Sequence, residues 1–123
     1  MTYARIALGL DGEAHARRAL ERRGYQVLAC RYRTRQGEID LVARHEGVVV
    51  FVEVKTRRGR EFGDPAASVT AQKQRRVAQM AADYLARHRL ERAPVRFDVV
   101  SVEASVDGPP VVTVIADAFR PGW

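Results

Sequence analysis

Three carboxylates and one ammonium group are spaced two residues apart in two neighbouring stretches of the chain. Glu38 and Asp40 form the first pair, and Glu53 and Lys55 form the second. Side chains two residues apart on a β-strand point to the same face of the sheet. If both stretches are strands of one hairpin, all four charged groups therefore project from one face.

The residues around these pairs predict such a hairpin. Residues 38–44 and 48–56 have the composition of strands, and the segment between them ends in a glycine that is typical of a tight turn. With residues 46–47 at the centre of the turn, Asp40 lies directly opposite Glu53. A four-residue turn would shift this pairing by two positions and leave the same side chains on the same face.

Opposed carboxylates on one face of a sheet need a counter-charge. Directly opposed Cβ atoms are roughly 4.5–5.5 Å apart, a distance at which like charges are destabilising. Val49 and Phe51 share this face, so part of it is expected to be covered, and Lys55 alone does not offset three acids. Mg²⁺ (or Mn²⁺) suits one or two carboxylates, waters and a substrate phosphate, with the backbone carbonyl of Val54 as a further candidate ligand.

The rest of the chain predicts an α/β protein with the element order α-β-β-β-α-β-β and a central mixed sheet flanked by helices. Residues 4–23 form the first predicted helix, whose glycines favour a start near Asp11. Residues 68–88 form the second, capped by Ser68 or Thr70. Its predicted apolar stripe consists of Val69, Val77, Met80, Ala81, Tyr84 and Leu85. The remaining strands are predicted at 25–32, 96–104 and 111–118.

Length and composition favour one globular domain, residues 1–123, in a reducing cytoplasm. The chain has 123 residues, of which 46% are hydrophobic, and one cysteine, which excludes a disulfide framework. Its longest apolar run, 48–52, is far shorter than the roughly 18 residues of a membrane span. The N-terminal stretch does not have the pattern of a secretory signal. We therefore expect no membrane partner.

The charge of the chain is positive and unevenly distributed. The net charge is +6, and residues 1–93 hold 19 basic and 11 acidic side chains. Such a bias predicts a polyanionic partner, most often nucleic acid, although a solvated basic surface is the alternative. Of the basic residues, 19 are arginine and two, Lys55 and Lys73, are lysine. The rarity of lysine indicates that a compact ammonium is required where it occurs.

Arginines cluster on both sides of the charged hairpin. Arg33 and Arg35 precede its first strand, and Arg57, Arg58 and Arg60 follow its second. These positions predict contacts with a phosphate backbone, with a solvated loop as the alternative. Further along the chain, Arg96 stands two residues before Asp98 in a predicted strand. That spacing predicts a structural ion pair without a catalytic role.

The charged hairpin also resembles a known motif. Residues 37–40 read Gly-Glu-Ile-Asp and residues 51–57 read Phe-Val-Glu-Val-Lys-Thr-Arg, similar to the Asp…Glu-x-Lys motif of the PD-(D/E)XK nuclease superfamily. The chain resembles more closely the YraN-type proteins, which are related to archaeal Holliday-junction resolvases. This resemblance covers about residues 9–100, and Ile39 stands where the superfamily motif has proline. It further includes Gly12-Glu13, Gly24-Tyr25, Phe62-Gly63 and Lys73.

The resemblance implies a restriction endonuclease-like fold and a role for each charged residue. Asp40 and Glu53 would hold the metal ion. Lys55 would orient or help to deprotonate the attacking water and stabilise charge on the phosphate. Glu13, on the first helix, would complete the metal shell, and Glu38 would be an auxiliary carboxylate. Without the resemblance, Glu53-x-Lys55 would predict an ion pair worth about 0–1 kcal/mol.

The predicted function is therefore that of a Mg²⁺-dependent endonuclease acting on DNA phosphodiester bonds. The resemblance implies branched or junction DNA as the substrate and a homodimer as the assembly, and it places Lys73 near the site or near DNA. The alternative for Lys73 is an ordinary lysine on the surface of the helix. The alternative is a non-catalytic nucleic-acid-binding module that retains the fold. RNA remains open as the nucleic acid.

Overall fold

The computed structural model describes the backbone of residues 3–57 and 64–122 and the side chains of residues 12–57 and 64–122. Its elements follow the predicted order, with a short 3-10 helix before the second α-helix. They are α1 (Tyr3–Arg22), β1 (Gln26–Thr34), β2 (Gly37–His45), β3 (Val48–Arg57), the 3-10 helix (Ala66–Ser68), α2 (Ala71–Arg87), β4 (Val95–Glu103) and β5 (Val111–Ile115). The predicted α/β class is confirmed.

The five strands form one mixed sheet in the order β1-β2-β3-β4-β5. Neighbouring strands are antiparallel except β3 and β4, which are parallel. A parallel pair requires a crossover connection, and α2 lies within the crossover between β3 and β4. This crossover carries α2 across the face of the sheet that bears the charged residues of β3.

The two helices cover opposite faces of the sheet, as the alternation of side chains on β3 requires. Val50 and Val52 pack in one buried cluster with Leu20 of α1. Val49 and Phe51 pack in the other cluster with α2. All six residues of the apolar stripe predicted for the second helix are buried. Glu53 and Lys55 follow Phe51 in steps of two and therefore lie on the α2 face.

The register of the hairpin between β2 and β3 is the predicted one. Glu46 and Gly47 have φ angles of 51° and 80°, as a two-residue type I′ turn requires. His45 pairs with Val48, and the ladder runs to Leu41 opposite Val52. Continuing this register by one residue places Asp40 opposite Glu53.

The start of α1 differs from the prediction. The helix begins at Tyr3 rather than near Asp11 and continues through Gly9 and Gly12. A glycine inside a helix costs about 1 kcal/mol relative to alanine. Burial of Ala16 and Leu20 against the sheet helps to offset this cost, which the local sequence pattern does not reveal.

Candidate functional site

A cleft of about 490 Å³ lies between the β2–β3 hairpin and α2. The four charged residues of the predicted site, Glu38, Asp40, Glu53 and Lys55, all line it. The other lining residues come from the turn before β2, from β3 and from α2. These are Gln36, Gly37, Val54, Thr56, Lys73, Arg76, Val77 and Met80.

Asp40 is positioned by a hydrogen bond to the backbone of the neighbouring strand. The amide N–H of Val54 donates to Asp40 Oδ2 at 2.7 Å. Burial, and then the negative charge of Glu53, raise the pKa of Asp40 to about 7, while the Val54 N–H opposes this shift. The carboxyl group thus keeps its proton to a higher pH than an ordinary aspartate, a shift typical of acids in functional sites.

Glu53 is almost completely buried, with 5% of its surface exposed. Its Oε2 atom forms an ion pair with Lys73 Nζ at 3.0 Å. Lys73 lies in the first turn of α2, which begins at its N-cap Thr70. Because α2 belongs to the β3–β4 crossover, the pair joins the start of α2 to β3.

The two lysines of the sequence meet in this cleft. Both side chains line it, lie close enough to affect each other's pKa, and are influenced by the charges of Asp40 and Glu53. Burial, and then the contact with Lys73, lower the pKa of Lys55. From the rarity of lysine, the sequence predicted that a compact ammonium is needed at both positions, and both lysines line this cleft. The sequence left open whether Lys73 approaches the site or DNA or is an ordinary surface lysine, and in the structure it lines the cleft.

Glu13 is held by an ion pair outside the lining of the cleft. Its carboxylate accepts a hydrogen bond from Arg31 Nε at 2.8 Å, and it is not among the cleft-lining residues. Its charge still contributes to the raised pKa of Asp40. Within the described residues, no group of three or more His, Cys, Asp or Glu side chains is arranged to hold a metal ion. The role of Glu13 in completing a metal shell therefore stays a prediction.

The remaining candidate residues differ in their surroundings. Glu38, at the rim of the cleft, forms an ion pair with the exposed Arg33 at 3.3 Å, and Arg35 is exposed. Val54 lines the cleft through β3, and a ligand role for its carbonyl stays a prediction.

Arg57 forms an ion pair with a residue of the neighbouring strand, and its contact with a phosphate backbone stays a prediction. Arg57 Nη2 lies 3.2 Å from Glu103 Oε1 on β4, and the two side chains are only 12% and 13% exposed. Strand pairing explains this contact, because Arg57 and Glu103 are register partners in the parallel β3–β4 ladder. Arg58 and Arg60, together with Phe62-Gly63, fall outside the described residues.

Three cleft residues were missed by the sequence analysis: Gln36, Thr56 and Arg76. Arg76 had a usable signal, because residues three apart on a helix share a face and Arg76 follows Lys73 by three. Gln36 and Thr56 carry no such signal, since a neutral polar residue near a strand end is common.

Within the described part of the chain, no helix is long and apolar enough to cross a membrane.

The donor set of the cleft fits a hard divalent cation. Mg²⁺ is commonly bound in proteins through one or two carboxylates, with waters and substrate phosphate completing its shell. Asp40 and Glu53 supply two carboxylates, and burial, followed by the negative charge of Glu53, raises the pKa of Asp40. The cleft thus offers the two acidic ligands Asp40 and Glu53, and the further ligand that the resemblance implies, Glu13, stays a prediction.

Comparisons with known proteins agree on one family. The model of the family described as "Uncharacterised protein family UPF0102" matches residues 12–102. A UPF0102 protein of Symbiobacterium thermophilum is 52% identical over 113 residues, covering 92% of this chain and 96% of that protein. One of Syntrophotalea carbinolica is 48% identical over 107 residues, 87% of each chain. One of Roseiflexus castenholzii is 50% identical over 107 residues, 86% of each. All described residues of the cleft lie inside the matched region.

Proposed function

The chain belongs to the UPF0102 family, the YraN-type group that its sequence resembles, and we propose that it is a Mg²⁺-dependent endonuclease acting on DNA. The observation that supports this most directly is the Asp40–Glu53 pair. Two carboxylates share one cleft, and both lysines of the chain lie beside them. This is the donor set of a metal-assisted phosphodiester hydrolase.

Each residue has a role that follows from its surroundings. Asp40 and Glu53 would hold the cation, and Val54 keeps Asp40 in place through its N–H. A bound divalent cation supplies Lewis-acid activation of water and charge neutralisation at the phosphate. The lowered pKa of Lys55 suits it to accept a proton from the attacking water. In its charged form, Lys55 stabilises negative charge that develops on the phosphate.

The surroundings of the cleft favour a nucleic acid as the substrate. The chain carries a net charge of +6, and the exposed Arg33 and Arg35 precede the strand that bears Asp40. Side chains of this kind contact phosphates without reading sequence. Branched or junction DNA, cut by a homodimer, is the finer proposal, and it rests on the resemblance to Holliday-junction resolvases.

Cleavage assays test the proposal. We expect Mg²⁺-dependent nicking of plasmid DNA or cutting of a four-way junction, with loss of about 100-fold or more in Lys55→Ala and Asp40→Asn. Arg44→Ala is the matched control, because Arg44 is an exposed cation on β2 outside the cleft. It should cut like the wild type. Cleavage that survives both cleft substitutions would show that the activity comes from elsewhere.

A second candidate function is DNA binding without cutting. The observation that favours it is the ion pair between Lys73 and Glu53, which already neutralises one of the two carboxylates. This candidate predicts binding that weakens steeply with salt and no cleavage under any metal condition. Competition with RNA of the same length would identify the preferred nucleic acid.

A further inference from the structure

Lys73 occupies a position on α2 that disfavours a cation. Thr70 is the N-cap, and the backbone N–H of Lys73 donates to its side-chain oxygen at 3.2 Å. Lys73 is thus the third residue of the helix, where capping boxes place Glu or Gln and the helix dipole favours negative charge. The first turn of α2 contains no acidic residue. A lysine here needs a compensating contact, and Glu53 supplies one.

The ion pair occupies one carboxylate oxygen of Glu53, a side chain proposed to bind the metal ion. Lys73 Nζ lies 3.0 Å from Glu53 Oε2, and 7% of the Glu53 side chain is exposed. An ammonium and a divalent cation on the same carboxylate would repel each other strongly at such distances. With Lys73 in this position, therefore, Glu53 is a poor metal ligand.

Lys73 is able to leave this position without unfolding the helix. Its side chain is 34% exposed, and lysine carries its charge on a flexible four-carbon stem. It lines the same open cleft as Lys55, so a short rotation of the side chain would move its ammonium toward the mouth. A phosphate at the cleft would be the natural anion to receive it.

We propose that Lys73 is a resident counter-cation, which holds Glu53 while the metal is absent and leaves Glu53 for the substrate phosphate when a divalent cation binds. This inference rests on the proposed function and adds a positioning residue to it. Lys73 then affects the binding of the metal ion and the binding of phosphate in opposite directions. It weakens metal binding by the free protein, and it strengthens the hold on a phosphate once metal is bound.

The test is calorimetric titration of the full chain with Mn²⁺ alone, without DNA. Lys73→Met keeps the length of the side chain and removes its charge, and should lower the Mn²⁺ dissociation constant about tenfold, equivalent to about 1.4 kcal/mol. Arg76→Met is the matched control, because Arg76 lies one turn away on α2 and lines the same cleft. It should change the constant by less than about threefold.

Thermal unfolding gives a readout that is independent of activity. In EDTA, Lys73→Met leaves Glu53 without its ammonium and should lower the midpoint by roughly 4 °C. Saturating Mn²⁺ should restore the variant to the midpoint of the metal-bound wild type. A midpoint unchanged in EDTA would contradict the role of Lys73 as a counter-cation.

The outcomes separate the inference from the proposed function. Wild-type binding of Mn²⁺ that is lost in Asp40→Asn but equal in Lys73→Met and Arg76→Met would overturn the inference and leave the nuclease site standing. Binding by Lys73→Met that exceeds both wild type and Arg76→Met supports the inference even if no DNA is cut. No Mn²⁺ binding by either the wild type or Lys73→Met would overturn the inference and the metal site together.

Discussion

Asp98 and Asp40 are both aspartates on strands of the same sheet, and their surroundings differ sharply. Asp98 on β4 is fully buried. Tyr25 Oη donates to it at 2.7 Å, Arg96 Nε at 2.9 Å and the backbone N–H of Asp117 at 2.9 Å. A buried carboxylate with this many donors has replaced its hydration almost completely.

Asp40 is in the opposite situation. It receives the Val54 N–H, but its neighbour across the hairpin is a second carboxylate, Glu53. Its pKa is therefore raised to about 7 by burial and by Glu53. Asp98 is thus surrounded by direct donors, whereas at Asp40 a single N–H and the nearby charge of Lys73 only partly oppose burial and the charge of Glu53. A carboxyl group whose pKa is raised in this way is a candidate functional group.

Tyr25 and Arg96, which bind Asp98, also contact His45, and we call these four residues the Asp98 network. Tyr25 stacks on His45 with ring centroids 4.0 Å apart, and Arg96 Nη2 reaches both the Tyr25 hydroxyl and His45 Nδ1. Burial, and then the hydrogen bond to Asp98, raise the pKa of Tyr25 to about 12. The phenol therefore stays a donor across the physiological pH range, and the network joins the α1–β1 connection to β2 and β4.

The largest effect is expected from Asp98→Ala. Removing this carboxylate leaves Arg96 and Tyr25 partly buried without their acceptor, which should cost about 3–5 kcal/mol in the free energy of unfolding. Urea denaturation measures the change, with Asp107→Ala in the exposed 107–110 segment as the control. A loss below about 1 kcal/mol would show that the network is not structural.

The next prediction is that Asp40→Asn increases the free energy of unfolding above about pH 7. Because the folded pKa of Asp40 is raised above its ordinary value of 3.8 to about 7, the folded state keeps its proton after the unfolded state has ionised. Stability therefore falls as pH rises between these values. Asp40→Asn does not ionise, so at about pH 8 it should be more stable than the metal-free wild type by about 2 kcal/mol.

At about pH 4 the two proteins should have nearly equal stability, because Asp40 is then protonated in the folded state. Asp98→Asn is the matched comparison, since it makes the same chemical change in the satisfied site and should destabilise at both pH values. Equal destabilisation by both substitutions would remove the distinction between the two aspartates.

A smaller effect is expected from Tyr25→Phe. It removes the hydroxyl that donates to Asp98 and accepts from Arg96, but it keeps the ring on His45. The cost should be about 1.5 kcal/mol, the lower end of the range for a hydrogen bond to a charged group. Thermal unfolding checks it, and Mn²⁺ affinity should be unchanged. A change in Mn²⁺ affinity would show that the two sites are coupled.

The smallest effect on stability is expected from the pair Arg33→Ala and Arg35→Ala. Both side chains are exposed, so unfolding should change by less than about 0.5 kcal/mol. If they contact phosphates, DNA affinity should fall and the salt dependence of binding should lose about two units of slope. Unchanged salt dependence would assign them to the solvated surface.

Local periodicity accounts for what the sequence predicted well. Alternation on β3 placed Glu53 and Lys55 on the covered face, and the Glu46-Gly47 turn set the register that brings Asp40 opposite Glu53. The ion pair expected between Arg96 and Asp98 is confirmed. The shared faces, the strand register and this ion pair involve residues that are close in sequence or lie on one hairpin. In such segments, strand and turn geometry determines which residues are neighbours.

Contacts between distant segments were not predictable in the same way. The Lys73–Glu53 pair depends on where the crossover docks α2 on the sheet, and the Arg57–Glu103 pair depends on the register of two parallel strands. Glu13 was assigned by resemblance, whereas its partner Arg31 has a positive φ of 53° that turns the β1 backbone. No periodic pattern in the sequence encodes these placements.

The most direct test of the central claim, that Asp40 and Glu53 hold one divalent cation between them, is a crystal soaked in Mn²⁺ and measured for anomalous scattering. The account predicts a peak at coordinating distance, about 2.0–2.3 Å, from a carboxylate oxygen of each residue. It also predicts that Lys73 Nζ has moved away from Glu53. A crystal with no peak in the cleft, and with Lys73 still on Glu53 at saturating Mn²⁺, would contradict it.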